Sequence, residues 1–103
     1  MRAIQISDKL VKTLNLCEGE KVEDKIGRLV LKNTEYRIRY LNDELAKFES
    51  SYGLSFGQFA RAWKEGKIAE KHTHKVETDY IEWEALEMEK RECLKTLREL
   101  RKE

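Results

Sequence analysis

The chain has 103 residues, 40% of them apolar and 40% charged, and its 21 basic and 20 acidic side chains leave a net charge of +1. That length suits one compact unit or two small modules with a modest core and no large enclosed active site, and near-neutrality excludes a global field drawing it to nucleic acid or membrane. No stretch approaches the ~18 apolar residues of a membrane helix, and Met1-Arg2-Ala3-Ile4 lacks the apolar core of a signal peptide, so a cytoplasmic protein is expected.

In chain order, Ile4 and Ile6 alternate with polar neighbours as in a half-buried strand, and Leu10 and Leu14 then repeat at helical spacing behind a cap at Ser7 or Asp8. The run "CEGE" breaks that helix. "KVEDKIGRLVLK" reads as two short strands joined by a tight connection around Asp24 to Gly27, with Leu29 and Leu31 on one face. From Thr34 the period becomes helical, and Ile38, Leu41, Leu45, Phe48 and Tyr52 form a heptad-like seam that ends at Gly53. "LSFGQF" restarts a helix, with Ser55 and Gln58 as a capping box and Leu54 placed to staple onto Phe59. A polar connection, "KIAEKHTHKVETD", leads to a last long helix capped by Thr73 or Thr78. Along it Trp83, Leu86, Cys93, Leu97 and Leu100 keep three-and-four spacing if Lys90 takes one seam position. The fold class expected is α+β: a β-rich element over 1–33, then a helical region over 34–103 with helices at about 34–52, 55–65 and 77–101.

Few groups here suggest chemistry. There is no Gly-rich phosphate loop and no nucleophile elbow, so no enzyme, cofactor or metal is expected. His72 and His74 lie in the polar connection, and two ligands in a loop do not make a metal site. Cys17 and Cys93 are too few and too far apart for a disulfide framework and read as small apolar residues. The aromatic set Phe56, Phe59, Trp63, Tyr80 and Trp83, with Leu86, has two readings. Helical spacing makes it core by default, whereas three short helical pieces offer little cover for it, which points to a partner-binding surface.

The last helix is acidic first (Glu77, Asp79, Glu82, Glu84, Glu87, Glu89) and mainly basic afterwards. Helix-dipole complementarity within one chain accounts for that order. So does antiparallel pairing of two copies, with Glu82, Glu84, Glu87 and Glu89 of one near Lys95, Arg98, Arg101 and Lys102 of the other. A dimer through Ile38, Leu41, Leu45, Phe48, Cys93, Leu97 and Leu100 is the corresponding expectation.

"RAIQISDKLVKTLNLCEGEKV" followed by "GRLVLK" resembles the swapped-hairpin family of AbrB and of MazE- and VapB-type antitoxins, through Arg2, Ile6, Leu10, Leu14, Leu16, Gly19, Val22, Gly27, Arg28 and Leu29 to Leu31. The resemblance implies two chains interleaving into one small barrel. Arg2, Lys9 and Lys12 are the basic residues near that element, and DNA contacts, where there are any, are expected from them. "KFESSYGLSFGQFARAWKEGKI" and "DYIEWEALEMEKRECLK" are similar to small helical prokaryotic proteins on the antitoxin side of toxin–antitoxin pairs. Together these resemblances imply an antitoxin that neutralises a toxin encoded nearby. The alternatives are a DNA-binding transcriptional regulator and a homo-oligomeric helical scaffold.

Overall fold

A computed structural model describes residues 7–15 and 21–101. Four helices follow one another: α1 (Asp8–Leu14), α2 (Val22–Tyr52), α3 (Phe56–Lys64) and α4 (His74–Arg101), with no strand among the described residues. The protein is therefore all-α over this range and not α+β. The expected strand around Ile4 and Ile6 and the "CEGE" break lie outside the described residues.

The expected β-hairpin of residues 21–32 is instead the start of α2, which runs without a break through residues 33 and 34. Val22, Ile26, Leu29 and Val30 sit four, three and one apart, which is helical spacing as well as an imperfect alternation. Two considerations favour the helix. An isolated two-stranded hairpin is marginal, whereas extending an existing helix gains one hydrogen bond per residue fixed. Glu23 and Asp24 in the first turn also suit the positive end of the helix dipole.

Several local cap signals elsewhere hold, although the last helix begins at His74, inside the stretch expected to be a polar connection and three residues before the expected start. Ser7 caps α1, its hydroxyl accepting from the Leu10 amide at 3.2 Å. Gly53 ends α2 with φ 66, a left-handed conformation that costs glycine little. Ser55 and Gln58 form the full capping box of α3, and the Thr73 hydroxyl accepts from the Val76 amide at 3.3 Å at the head of α4. The connection between α3 and α4 holds Glu70 at φ 55, a left-handed conformation that bulky side chains resist.

Helices α2 and α4 pack lengthwise and antiparallel, Arg37 pairing with Glu89 and Tyr52 with Asp79; α3 docks on α4 and α1 on α2. The result is long, 56 × 27 × 25 Å, with a radius of gyration of 19.4 Å, against about 13 Å for a compact chain of this size. The core is correspondingly small. Leu45, Phe59, Val76 and Trp83 form its centre at the α3 end, with Leu41 buried farther along α2 and Leu14 buried on α1.

Phe59→Ala should remove about 3–5 kcal/mol, enough to unfold much of a core this small, as read from the urea midpoint. Glu70→Gly should raise stability by about 0.5–1 kcal/mol by relieving the left-handed conformation; a lowered melting temperature would show that the Glu70 side chain stabilises the turn.

Candidate functional site

The aromatic side chains converge on one point. Trp83, fully enclosed, stacks on Phe48 with ring centroids 5.4 Å apart and on Tyr52 at 5.8 Å, meets Phe56 edge-on at 5.5 Å and touches Phe59 at 5.0 Å. Trp63 and Tyr80 extend the cluster at 4.7 Å, and Lys71 lies over the Trp63 ring. Each such pair contributes about 0.5–1.5 kcal/mol beyond the area it buries. The six side chains Phe56, Phe59, Trp63, Tyr80, Trp83 and Leu86 are thus brought together, facing one another across α3 and α4. Phe59 and Trp83 present no surface, while the other four are half-buried. The Trp83 indole N–H is enclosed without a hydrogen-bond partner, and about 1–3 kcal/mol is lost there in exchange for the ring contacts.

At the edge of this cluster the Tyr52 hydroxyl donates to an Asp79 oxygen at 2.6 Å, and the Lys75 ammonium reaches the same oxygen at 3.0 Å. Burial, the hydrogen bond to Asp79 and its negative charge push the Tyr52 hydroxyl up to about 12. For Asp79 burial acts upward, but the hydrogen bonds from Tyr52 and Lys75 and the lysine charge outweigh it and hold the carboxyl below its ordinary value. Farther along, Arg37 forms a two-pronged pair with Glu89, and the hydrogen bonds raise the guanidinium and lower the carboxyl.

The face of α4 turned away from α2 carries a feature that the heptad-like seam conceals. Ile81 and Met88 are 68% and 58% exposed, and Ala85 stands between them. At spacings of four and three they form one ridge. Exposed Glu77 and Glu92 lie one turn beyond its two ends, and Glu84 and Arg91 flank it. Sequence reading followed the seam through Trp83 and Leu86 and took the glutamates as a solvated face; the i, i+4, i+7 placement of Ile81, Ala85 and Met88 was the signal available for this ridge. It is an apolar line bordered mainly by negative charge, held on the best-packed turns of the molecule.

The remaining site expectations fall as follows. Leu41 and Leu45 are buried between α2 and α4, and Ile38, Phe48, Cys93, Leu97 and Leu100 are half-buried. Lys9 and Lys12 are exposed on α1, and Arg2 is outside the described residues. His72 and His74 are exposed, and no group of three metal-ligating side chains converges among the described residues. No described helix is long and apolar enough to cross a membrane.

No protein-family model, curated protein or solved structure matches this chain.

Tyr52→Phe keeps the ring and deletes the hydroxyl, which should cost about 1 kcal/mol at pH 7. The pH profile gives a sharper check. A carboxyl depressed in the folded state adds stability above its unfolded value near ~4 that is lost as pH falls, and a phenol raised to about 12 adds stability below ~10 that is lost from there up to about 12. Wild type should therefore lose its advantage over the variant at both extremes, measured as urea midpoints at pH 3, 7 and 11; parallel profiles would refute the assignment.

Proposed function

We propose that this chain works by binding another protein, as the antitoxin of a prokaryotic toxin–antitoxin pair, through the outer face of α4. The observation that carries this reading is the exposed Ile81–Ala85–Met88 ridge bordered by Glu77, Glu84 and Glu92. Anchors at i, i+4 and i+7 are how an amphipathic helix seats in the apolar groove of a partner. The acidic border suits a partner with a basic surface, as a toxin that handles RNA would present, because opposite charges speed encounter and set register.

Two further points support it. The aromatic cluster gives the ridge a fixed backing, so little ordering is left for the binding step. The segments similar to antitoxin-side proteins, residues 47–68 and 79–95, span α3 and the part of α4 that bears the ridge. In this reading Phe56, Phe59, Trp63, Tyr80, Trp83 and Leu86 act from inside, holding α4 straight, in place of contacting the partner.

The test is co-expression of the tagged chain with the proteins encoded beside it, followed by purification and native mass spectrometry. A one-to-one or two-to-two complex with a small neighbour that arrests growth when expressed alone is expected. Ile81→Glu combined with Met88→Glu should weaken that complex at least 100-fold, about two anchors' worth of contact, and leave the melting temperature within a few degrees. Undiminished binding by the double variant, or no retained neighbour, would overturn the reading.

A further inference from the structure

The antiparallel contact between α2 and α4 leaves one broad face of the hairpin open. A shallow groove there is lined by Tyr40, Glu44 and Phe48 from α2 and by Glu82, Ala85, Leu86 and Glu89 from α4, with no residue of α3. Helical spacing carries the same face on to Tyr36, Asn33 and Leu29 along α2 and to Cys93, Thr96 and Leu100 along α4. Tyr36 is 67% exposed and Tyr40 49%, with Leu29 also uncovered. Arg39 lies over the Tyr36 ring at 4.6 Å and Arg37 over Tyr40 at 4.8 Å. Two uncovered tyrosines and a leucine on one side of a helix make a face that ordinary monomers seldom leave in water.

We propose that a second copy of this chain covers this face, about a two-fold axis parallel to α2 and α4, so that α2 of each copy lies on α4 of the other and a four-helix bundle results. This goes beyond the antitoxin reading and does not rest on it: Ile81 and Met88 lie outside the groove, while Ala85 and Glu92 belong to both surfaces, so the dimer leaves only the Ile81 and Met88 side of the ridge open.

Charge and register select the second copy as occupant. The uncovered edge of α2 carries Lys32 and Arg39, with Asp43 one turn beyond, whereas the matching edge of α4 is acidic, with Glu92 and Glu99. A two-fold axis parallel to the helices keeps every residue at its own height. Within one chain Arg37 is level with Glu89 and Phe48 with Trp83. Across the axis Lys47 of one copy is therefore level with Glu82 of the other, Arg39 with Glu89 and Glu92, and Tyr36 with Cys93. The perpendicular axis would stack α2 on α2 and set Lys32 and Arg39 against the same two residues of the other copy, which repels. The α4 seam itself is already filled by α2, so an α4-to-α4 dimer through Trp83, Leu86 and Leu97 is not open to it.

The size is adequate. From Ile26 to Lys47 the face is roughly 30 Å long at 1.5 Å per residue, and two helices are roughly 20 Å wide. That is roughly 600 Å² of footprint per copy and 1,200 Å² in all, the lower end of stable interfaces, so a dimer that dissociates at low concentration is expected. Stacking of bases on the two tyrosines is the competing use of this face. It is disfavoured because a base would have to displace the Arg37 and Arg39 guanidinium groups that lie over these otherwise exposed rings.

Sedimentation velocity across 1–200 µM should show the mass doubling with concentration. Arg39→Glu should weaken the dimer at least 10-fold, and Arg39→Glu with Glu92→Arg should restore it. In a Cys17→Ser background, Tyr36→Cys should oxidise with the native Cys93 to a covalent dimer on a non-reducing gel, circular dichroism confirming that the variant stays helical. A monomer at every concentration would overturn the proposal, as would covalent dimers formed by Asn33→Cys once Cys93 is also serine, because those require α2 on α2. Binding of a single-stranded oligonucleotide by a chain that stays monomeric would overturn it in favour of the stacking use.

Discussion

Burial of one tryptophan constrains everything else in this structure. Trp83 projects from α4 into a space closed by Phe48 and Tyr52 of α2 and by Phe56 and Phe59 of α3. Filling that space sets which turn of α4 lies beside which turn of α2, and it sets the angle at which α3 must fold back. The caps serve the same arrangement. Gly53 stops α2 at Tyr52, and the Ser55 capping box starts α3 within three residues, so that two aromatic rings from each side reach the indole. An unpaired indole N–H is tolerated because the rings around it return more than that donor loses.

Away from this clasp the packing thins. The α2 seam contains Thr34, buried but bonded back to the Val30 carbonyl at 2.7 Å, and the α4 seam contains half-buried Lys90. Neither fills space as leucine would. Leu29, Val30 and Leu94 remain partly uncovered in the same half of the molecule. Two helices side by side bury one stripe each, and a chain with 40% charged residues has few apolar groups left for a third layer. Such a half should open first under denaturant, and it is also the half with most to gain from a partner.

Helix α4 joins these properties in one element. Its inner side carries Val76, Tyr80, Trp83 and Leu86 into the clasp, and its outer side shows Ile81 and Met88 between carboxylates. The same packing that orders the helix therefore presents the acidic ridge in a fixed orientation. Acid near its start and base near its end also suit the helix dipole, so this charge order needs no partner, whereas the exposed ridge and the open face with its tyrosines are not explained by folding.

Local chemistry in the sequence was enough to place the end of α2 and the start of α3, because these depend on residues within four positions, Gly53 and the Ser55–Gln58 box, while the start of α4 stayed open between Thr73 and Thr78 and fell at His74. It was enough for Ser7 at the head of α1 as well. It misread residues 21–32, where Leu29 and Leu31 alternate as in a strand while Val22, Ile26, Leu29 and Val30 also keep helical spacing, and only continuity with the rest of α2 decides between them. Spacing also identified the aromatic set but left open which way it faced. That was decided by tertiary structure, since whether Phe59 and Trp83 meet each other or a partner depends on how α3 folds back across α4, and no short-range signal encodes that angle. The ridge at Ile81, Ala85 and Met88 became visible for the same reason: a helix has several apolar lines, and only the one that α2 and α3 do not cover is a surface.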